Sequence, residues 1–127
     1  MSLLTESQIK YLHVIYETAA GGGLIRSVDI SRKLGVTKAS VSRMMKLLME
    51  LELITVEEHG LIRLTPKGKK EGTSIHNKMT GIYPFFSDYL GLDGPEALDS
   101  AYYFISGFSE RCVDRLLNKD WNGKNNV

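Results

Sequence analysis

The sequence predicts a mostly α-helical fold carrying one small β-hairpin, and three observations predict it. Apolar residues recur every three or four positions through most of the chain. That rhythm breaks at Ile54-Thr55-Val56-Glu57 and Leu61-Ile62-Arg63-Leu64, two short runs on either side of Glu58-His59-Gly60. Helix-start and helix-stop residues punctuate the remainder at regular intervals.

The elements follow in order. Thr5-x-x-Gln8 is a capping box, in which each side chain satisfies a backbone donor of the other residue. Ile9, Leu12, Tyr16 and Ala19 then mark the apolar stripe of a first helix, which Gly21-Gly22-Gly23 stops. Ser27 reads as the next N-cap, and Val28 to Leu34 as a two-turn helix closed by Gly35. Thr37 caps a longer helix from Lys38 to about Leu51, with Val41, Met44, Met45 and Leu48 turned inward. The hairpin comes next, Gly60 supplying the backbone angle its turn requires. Thr65-Pro66 opens a further helix, proline sitting where its missing N–H costs nothing. Ile75, Met79, Ile82, Phe86 and Leu90 carry that helix on, and Pro84 is expected to kink or split it. Gly91 to Pro95 is a connection before two shorter helices, Glu96 to Phe104 and Ser109 to Leu117.

This order describes a winged helix-turn-helix followed by a helical dimerisation region. Residues 1–72 are assigned to the first, 73–120 to the second, and 121–127 to a disordered tail. A chain of 127 residues with one cysteine, Cys112, makes no internal disulfide, and its opening residues lack a secretory signal. A cytoplasmic location and no membrane partner are therefore expected.

The net charge of +1 conceals an asymmetry. Between positions 26 and 46, Arg26, Arg32, Lys33, Lys38, Arg43 and Lys46 face Asp29 alone, and Arg63, Lys67, Lys69 and Lys70 follow unopposed. From His76 onward acidic residues outnumber basic ones. A basic front half points to a polyanion partner.

The segment Ile30 to Leu48 gives that partner a shape. Ile30, Leu34, Val36, Val41 and Met45 pack two helices across the turn at Gly35, while small and polar residues leave the second helix's outer side open. Laid in a major groove of double-stranded DNA, the second helix presents Lys38, Ala39, Ser42 and Arg43 to base edges. Thr37, Ser40 and Lys46 are placed for phosphates, and Ser27 is counted among the DNA-binding residues. The hairpin is the wing, with His59 at its tip and Arg63 on its return strand directed at the minor groove or the backbone. Lys67, Lys69 and Lys70 read equally well as DNA contacts or as solvated helix charges.

With these residues in place, the run from Thr5 to about Asp120 resembles the iron- and manganese-dependent repressor family. Tyr11-Leu12, Ile15-Tyr16-Glu17, Val28 to Leu48, Leu64-Thr65-Pro66-Lys67-Gly68, Gly91-Leu92-Asp93 and Ser109-Glu110 carry the resemblance. It implies a homodimer joined by the region after His76 and a palindromic operator; the SH3-like third domain that some members carry is not expected in a chain of 127 residues. It also implies metal ligands at positions that correspond here to Lys10, His13, Thr80, Tyr102, Ile105 and Ser106. Only His13 keeps a strong donor, and a manganese or iron site needs several converging oxygens or nitrogens. No metal or other cofactor is therefore expected, although His13, His76, Glu110 and Cys112 remain as side chains able to form a replacement site.

The rear half is rich in aromatic residues. Phe85, Tyr89, Tyr102, Tyr103, Phe104 and Phe108 are more apolar surface than two short helices hide, and a dimer interface is the preferred use for them. A pocket for a small-molecule effector is the alternative use. An enzyme is excluded as a reading: no nucleophile–base set, phosphate loop or repeated ligand spacing occurs. A protein–protein assembly module is the other rival, and it would have no need of the cationic helix.

Overall fold

The computed structural model describes residues 4–119. In chain order the elements are α1 (Glu6–Ala20), β1 (Ile25–Arg26), α2 (Ser27–Leu34), α3 (Lys38–Glu50), β2 (Ile54–Val56), β3 (Leu61–Leu64), α4 (Pro66–Pro84), α5 (Gly94–Gly107) and α6 (Glu110–Leu117). No helix among the described residues is long and apolar enough to cross a membrane. The chain clusters into two compact units, one of Lys10–Ser74 and one of the residues up to Ile9 together with those from Ile75 on. The division falls inside α1 and inside α4. The tail assigned to 121–127 lies outside the described residues.

In the unit of Lys10–Ser74 the core is built from Leu12, Ile15, Ile30, Val41, Leu48, Leu53 and Ile54, each with at most 2% of its surface exposed. Tyr11 and Ile15 are buried where the stripe read from sequence had Tyr16 and Ala19; Ala19 is exposed. The helix-turn-helix forms as its residues dictate. Gly35 closes α2 in the left-handed conformation, at φ 64°, and Thr37 caps α3 by accepting a hydrogen bond from the Ser40 amide at 3.1 Å. Ser27 is not the cap of α2. Arg26 is, its amide donating to the Asp29 carboxylate at 2.9 Å, so the helix begins one residue earlier than the serine suggested.

The sheet has three strands in the order β1-β3-β2, one more than the hairpin alone. Ile25 pairs with Ile62 and Arg26 with Leu61, while Ile54, Thr55 and Val56 pair with Leu64, Arg63 and Ile62. A two-residue strand is too short to show alternation, which is why β1 carried no signal. The wing tip needs left-handed backbone at two adjacent residues, His59 (φ 63°) and Gly60 (φ 76°).

The end of α3 is a Schellman turn made without glycine. The Leu53 amide donates to the Leu48 carbonyl at 3.0 Å and the Glu52 amide to Met49 at 2.9 Å, placing Glu52 at φ 61°. The three carbonyls that follow are all engaged by the start of α4. Leu51 accepts from Lys67 Nζ at 3.0 Å, Glu52 accepts from the Thr65 hydroxyl at 2.6 Å, and Leu53 accepts from the Thr65 amide at 3.1 Å. Lys67 thus places its charge at the C-terminal end of α3, a structural role. Because Glu52 is strained, Glu52→Gly is expected to raise stability by about 1 kcal/mol, measured by urea denaturation.

In the other unit, α4 runs to Pro84 and passes into a π-helical turn, Phe85–Tyr89. The wider turn shifts the phase of the apolar stripe: Ile75, Met79 and Ile82 are buried, Phe86 is half-buried and Leu90 is exposed. Asp93 caps α5 by accepting from the Glu96 amide at 2.9 Å, and Ser109 caps α6 by accepting from Cys112 at 3.1 Å. The core here holds Ile82, Ala97, Ala101 and Val113. Phe86 and Phe104 meet edge to face with centroids 6.3 Å apart.

Candidate nucleic-acid interface

Val41, Met45 and Leu48 anchor α3 to the core, and this leaves its opposite face outward. Ala39, Ser42, Arg43 and Lys46 occupy that face at the spacing of one helical stripe, and all four are exposed, as is Lys38 at the first turn. Thr37, Ser40 and Arg43 form a small network at the start of the helix. The Thr37 hydroxyl donates to Ser40 Oγ at 2.9 Å, and Arg43 Nη2 donates to the same oxygen at 3.3 Å. Ser40 is half-buried within it. Its engaged hydroxyl is a weaker candidate for phosphate contact than the exposed lysines.

The wing stands beside this face. His59 is exposed at its tip, and the Arg63 guanidinium on β3 donates to the Glu57 carboxylate on the neighbouring stretch of the wing. That pair is about half exposed on each side, so its net contribution to stability is small, but it offsets part of the wing's positive charge. Ser27 lies under the turn, its hydroxyl 3.6 Å from where a β-carbon on Gly60 would sit.

Between α3, the start of α2 and the wing runs a groove of about 470 Å3. Lys38, Ser42 and Lys46 edge it on α3, with Arg26 and Ser27 across and His59 and Gly60 at the wing. Its walls are apolar: Val28, Val41, Met45, Met49 and Val56. Sequence reasoning missed this groove, including Arg26 at its edge and the apolar walls, which lie beside the outward stripe of α3 and are not among the DNA contacts assigned to it. Charge balance pointed to Arg26, whereas nothing in the spacing marked Val28 or Met49, which are 45% and 39% exposed.

Tyr11 lies beneath the interface. Burial pushes its phenol above the ordinary tyrosine value, and the Arg43 guanidinium pulls it partly back. The folded state therefore favours the protonated phenol, and this stabilisation is complete below the unfolded pKa and lost as pH rises past it. Above about pH 10 the wild type is expected to lose thermal stability that Tyr11→Phe retains, as read from melting temperatures across alkaline pH.

The residues at the resemblance-implied metal positions differ widely in donor chemistry. Lys10 brings a cation, Ile105 no donor, and the Ser106 hydroxyl donates to the Tyr103 carbonyl at 3.1 Å. Thr80 and Tyr102 supply neutral hydroxyls, Tyr102 being buried in its own unit. His13 is buried, with Nδ1 3.8 Å from Glu17 Oε1 one turn along α1. His76 and Cys112 are half-buried and Glu110 is exposed.

The aromatic residues of the rear divide sharply. Tyr102 and Phe104 pack inside their unit and have no surface to offer, and Phe85 is half-buried. Tyr89, Tyr103 and Phe108 are 54%, 66% and 58% exposed, joined by Leu90 and Leu98.

Comparison with known proteins agrees with this geometry. The family model described as iron dependent repressor, N-terminal DNA binding domain, matches residues 3–61. The transcriptional regulator MntR of Geobacillus thermodenitrificans is 37% identical over 116 residues, covering 88% of this chain and 79% of that protein. Among solved structures, the manganese regulator SloR superposes with a TM-score of 0.75 at 28% identity, over 86% of this chain and 51% of SloR. IdeR of T. acidophilum gives 0.69 at 27% identity, over 92% of this chain and 54% of its own. The chain spans about half the length of these two structures. The outward cationic helix, the wing and the extent of these matches lead to one conclusion: the chain belongs to the iron- and manganese-dependent repressor family, a family of DNA-binding transcriptional regulators and not of enzymes.

Proposed function

We propose that this chain is a cytoplasmic transcriptional repressor that binds a palindromic operator as a homodimer, without the metal control of its relatives. The observation that carries the DNA-binding part is the exposed stripe Ala39, Ser42, Arg43 and Lys46 beside the wing. Small residues let the helix approach base edges, and the cations on either side neutralise phosphates. The exposed aromatic residues Tyr89, Tyr103 and Phe108 support self-association, because a second copy would remove their surface from water. The poor donor set at Lys10, Thr80, Ile105 and Ser106 supports metal independence.

Selection of bound fragments from a random DNA pool, with manganese, with iron and with chelator, tests all three parts. The expected product is one palindrome, recovered equally in every condition. Its affinity should fall with salt at a slope of about −0.9 per phosphate neutralised. Recovery only in the presence of metal would refute metal independence and direct attention to His13 and Glu17. Recovery of unrelated sequences would refute sequence-specific reading.

A further inference from the structure

The groove beside α3 has two properties that a surface meant only for phosphates does not need. Its walls are apolar, and Val28 and Met49 are left substantially open to solvent. Its rim carries Arg26, Lys38 and Lys46, with His59 at one end, and no carboxylate lines it. A volume of about 470 Å3 is that of a small-molecule site. An apolar trough with a cationic edge is complementary to a molecule with an apolar body and one negative end. A sugar–phosphate strand satisfies the rim but gains little from the valine and methionine walls.

We propose that this groove binds an amphipathic carboxylate of the medium-chain fatty-acid class, and that the bound acid blocks the DNA-reading face. The carboxylate pairs with Arg26, Lys38 or Lys46, and the tail lies against Val28, Met45 and Met49. Blocking follows from shared residues, since Lys38, Ser42 and Lys46 edge the groove and also belong to the proposed DNA contacts. The blocking half rests on the DNA-binding reading above; the binding half does not.

Decanoate, kept below its micelle concentration, is the probe, titrated into the full chain with carbon-13 methyl labels on valine and methionine. Saturable shifts are expected at Val28, Met45 and Met49. Acetate, which lacks the tail, and decyltrimethylammonium, which reverses the charge, should bind at least about tenfold more weakly. Val28→Gln should weaken decanoate binding about tenfold while keeping operator affinity, and Met49→Gln serves the same purpose if the first variant folds poorly. In fluorescence anisotropy, decanoate should displace operator DNA from the wild type and not from the variant. Absent or scattered shifts, or equal binding of decyltrimethylammonium, overturn the carboxylate site and leave the groove to a DNA strand. Shifts in the groove with undiminished operator binding overturn the blocking half. Loss of operator binding with no acid present overturns the DNA-binding reading and leaves the carboxylate site intact.

Discussion

Gly68→Ala is expected to destabilise the protein by about 1–3 kcal/mol or more, the range for forced overpacking, and to broaden or abolish its cooperative unfolding. A β-carbon at position 68 would lie 1.9 Å from the Leu53 carbonyl oxygen and 3.2 Å from Leu64 Cδ2. The first neighbour is backbone, held in place by the Thr65 amide, so it cannot swing aside as a side-chain tip would. The first turn of α4 would have to lift from the end of α3, and the Thr65 and Lys67 contacts would go with it. Gly107→Ala is the control: nothing lies within 4 Å of its would-be β-carbon, so it should be neutral or slightly stabilising. Denaturant titration of the two variants checks both expectations. An unperturbed Gly68→Ala would mean that α4 does not pack against Leu53 in solution.

Arg43→Ala is expected to weaken operator binding by about 1–3 kcal/mol and to relax preference at one base pair, as for loss of a bidentate guanine contact. The side chain stands on the outward stripe, where its hydrogen bond to Ser40 is a long one, 3.3 Å. Releasing it to a base edge costs little. Arg43→Lys separates two roles, because lysine serves a phosphate as a point charge but cannot form the two parallel bonds that guanine accepts. Retained affinity and specificity in the lysine variant would assign Arg43 to the backbone. Retained affinity and specificity in the alanine variant would remove it from the interface.

Much of the front half was legible in the sequence because its signals are local. Thr5 and Gln8 exchange the hydrogen bonds their spacing implies, at 3.0 and 3.2 Å. Gly35 and Thr37 set the turn and the cap, and Gly60 adopts the left-handed angle its place in the hairpin required. The failures have physical reasons. Glu52 and His59 adopt left-handed backbone that side-chain type alone does not announce: the Thr65 hydroxyl engages the Glu52 carbonyl, and the wing turn around His59 closes through the Gly60 amide and the Glu57 carbonyl. Ser27 lost the cap to Arg26 because Asp29, three residues on, supplies the partner the arginine amide needs. The stripe extended to Leu90 ran past the break expected at Pro84, where α4 does end and the π-turn that follows shifts the helical phase. Among the site residues, the outward stripe of α3 followed from periodicity, whereas the apolar groove joins positions 28, 49 and 56 through the fold.

Three successive carbonyls at Leu51, Glu52 and Leu53 are each held by Thr65 or Lys67, so the end of α3 and the return of the wing are fastened at one joint. These bonds oppose a change in the opening between helix and wing, as the joint of a caliper does. For a reader built this way, it is the duplex that must conform. Operators should be ranked partly by how readily their groove width and bend fit that opening, including at base pairs no side chain touches.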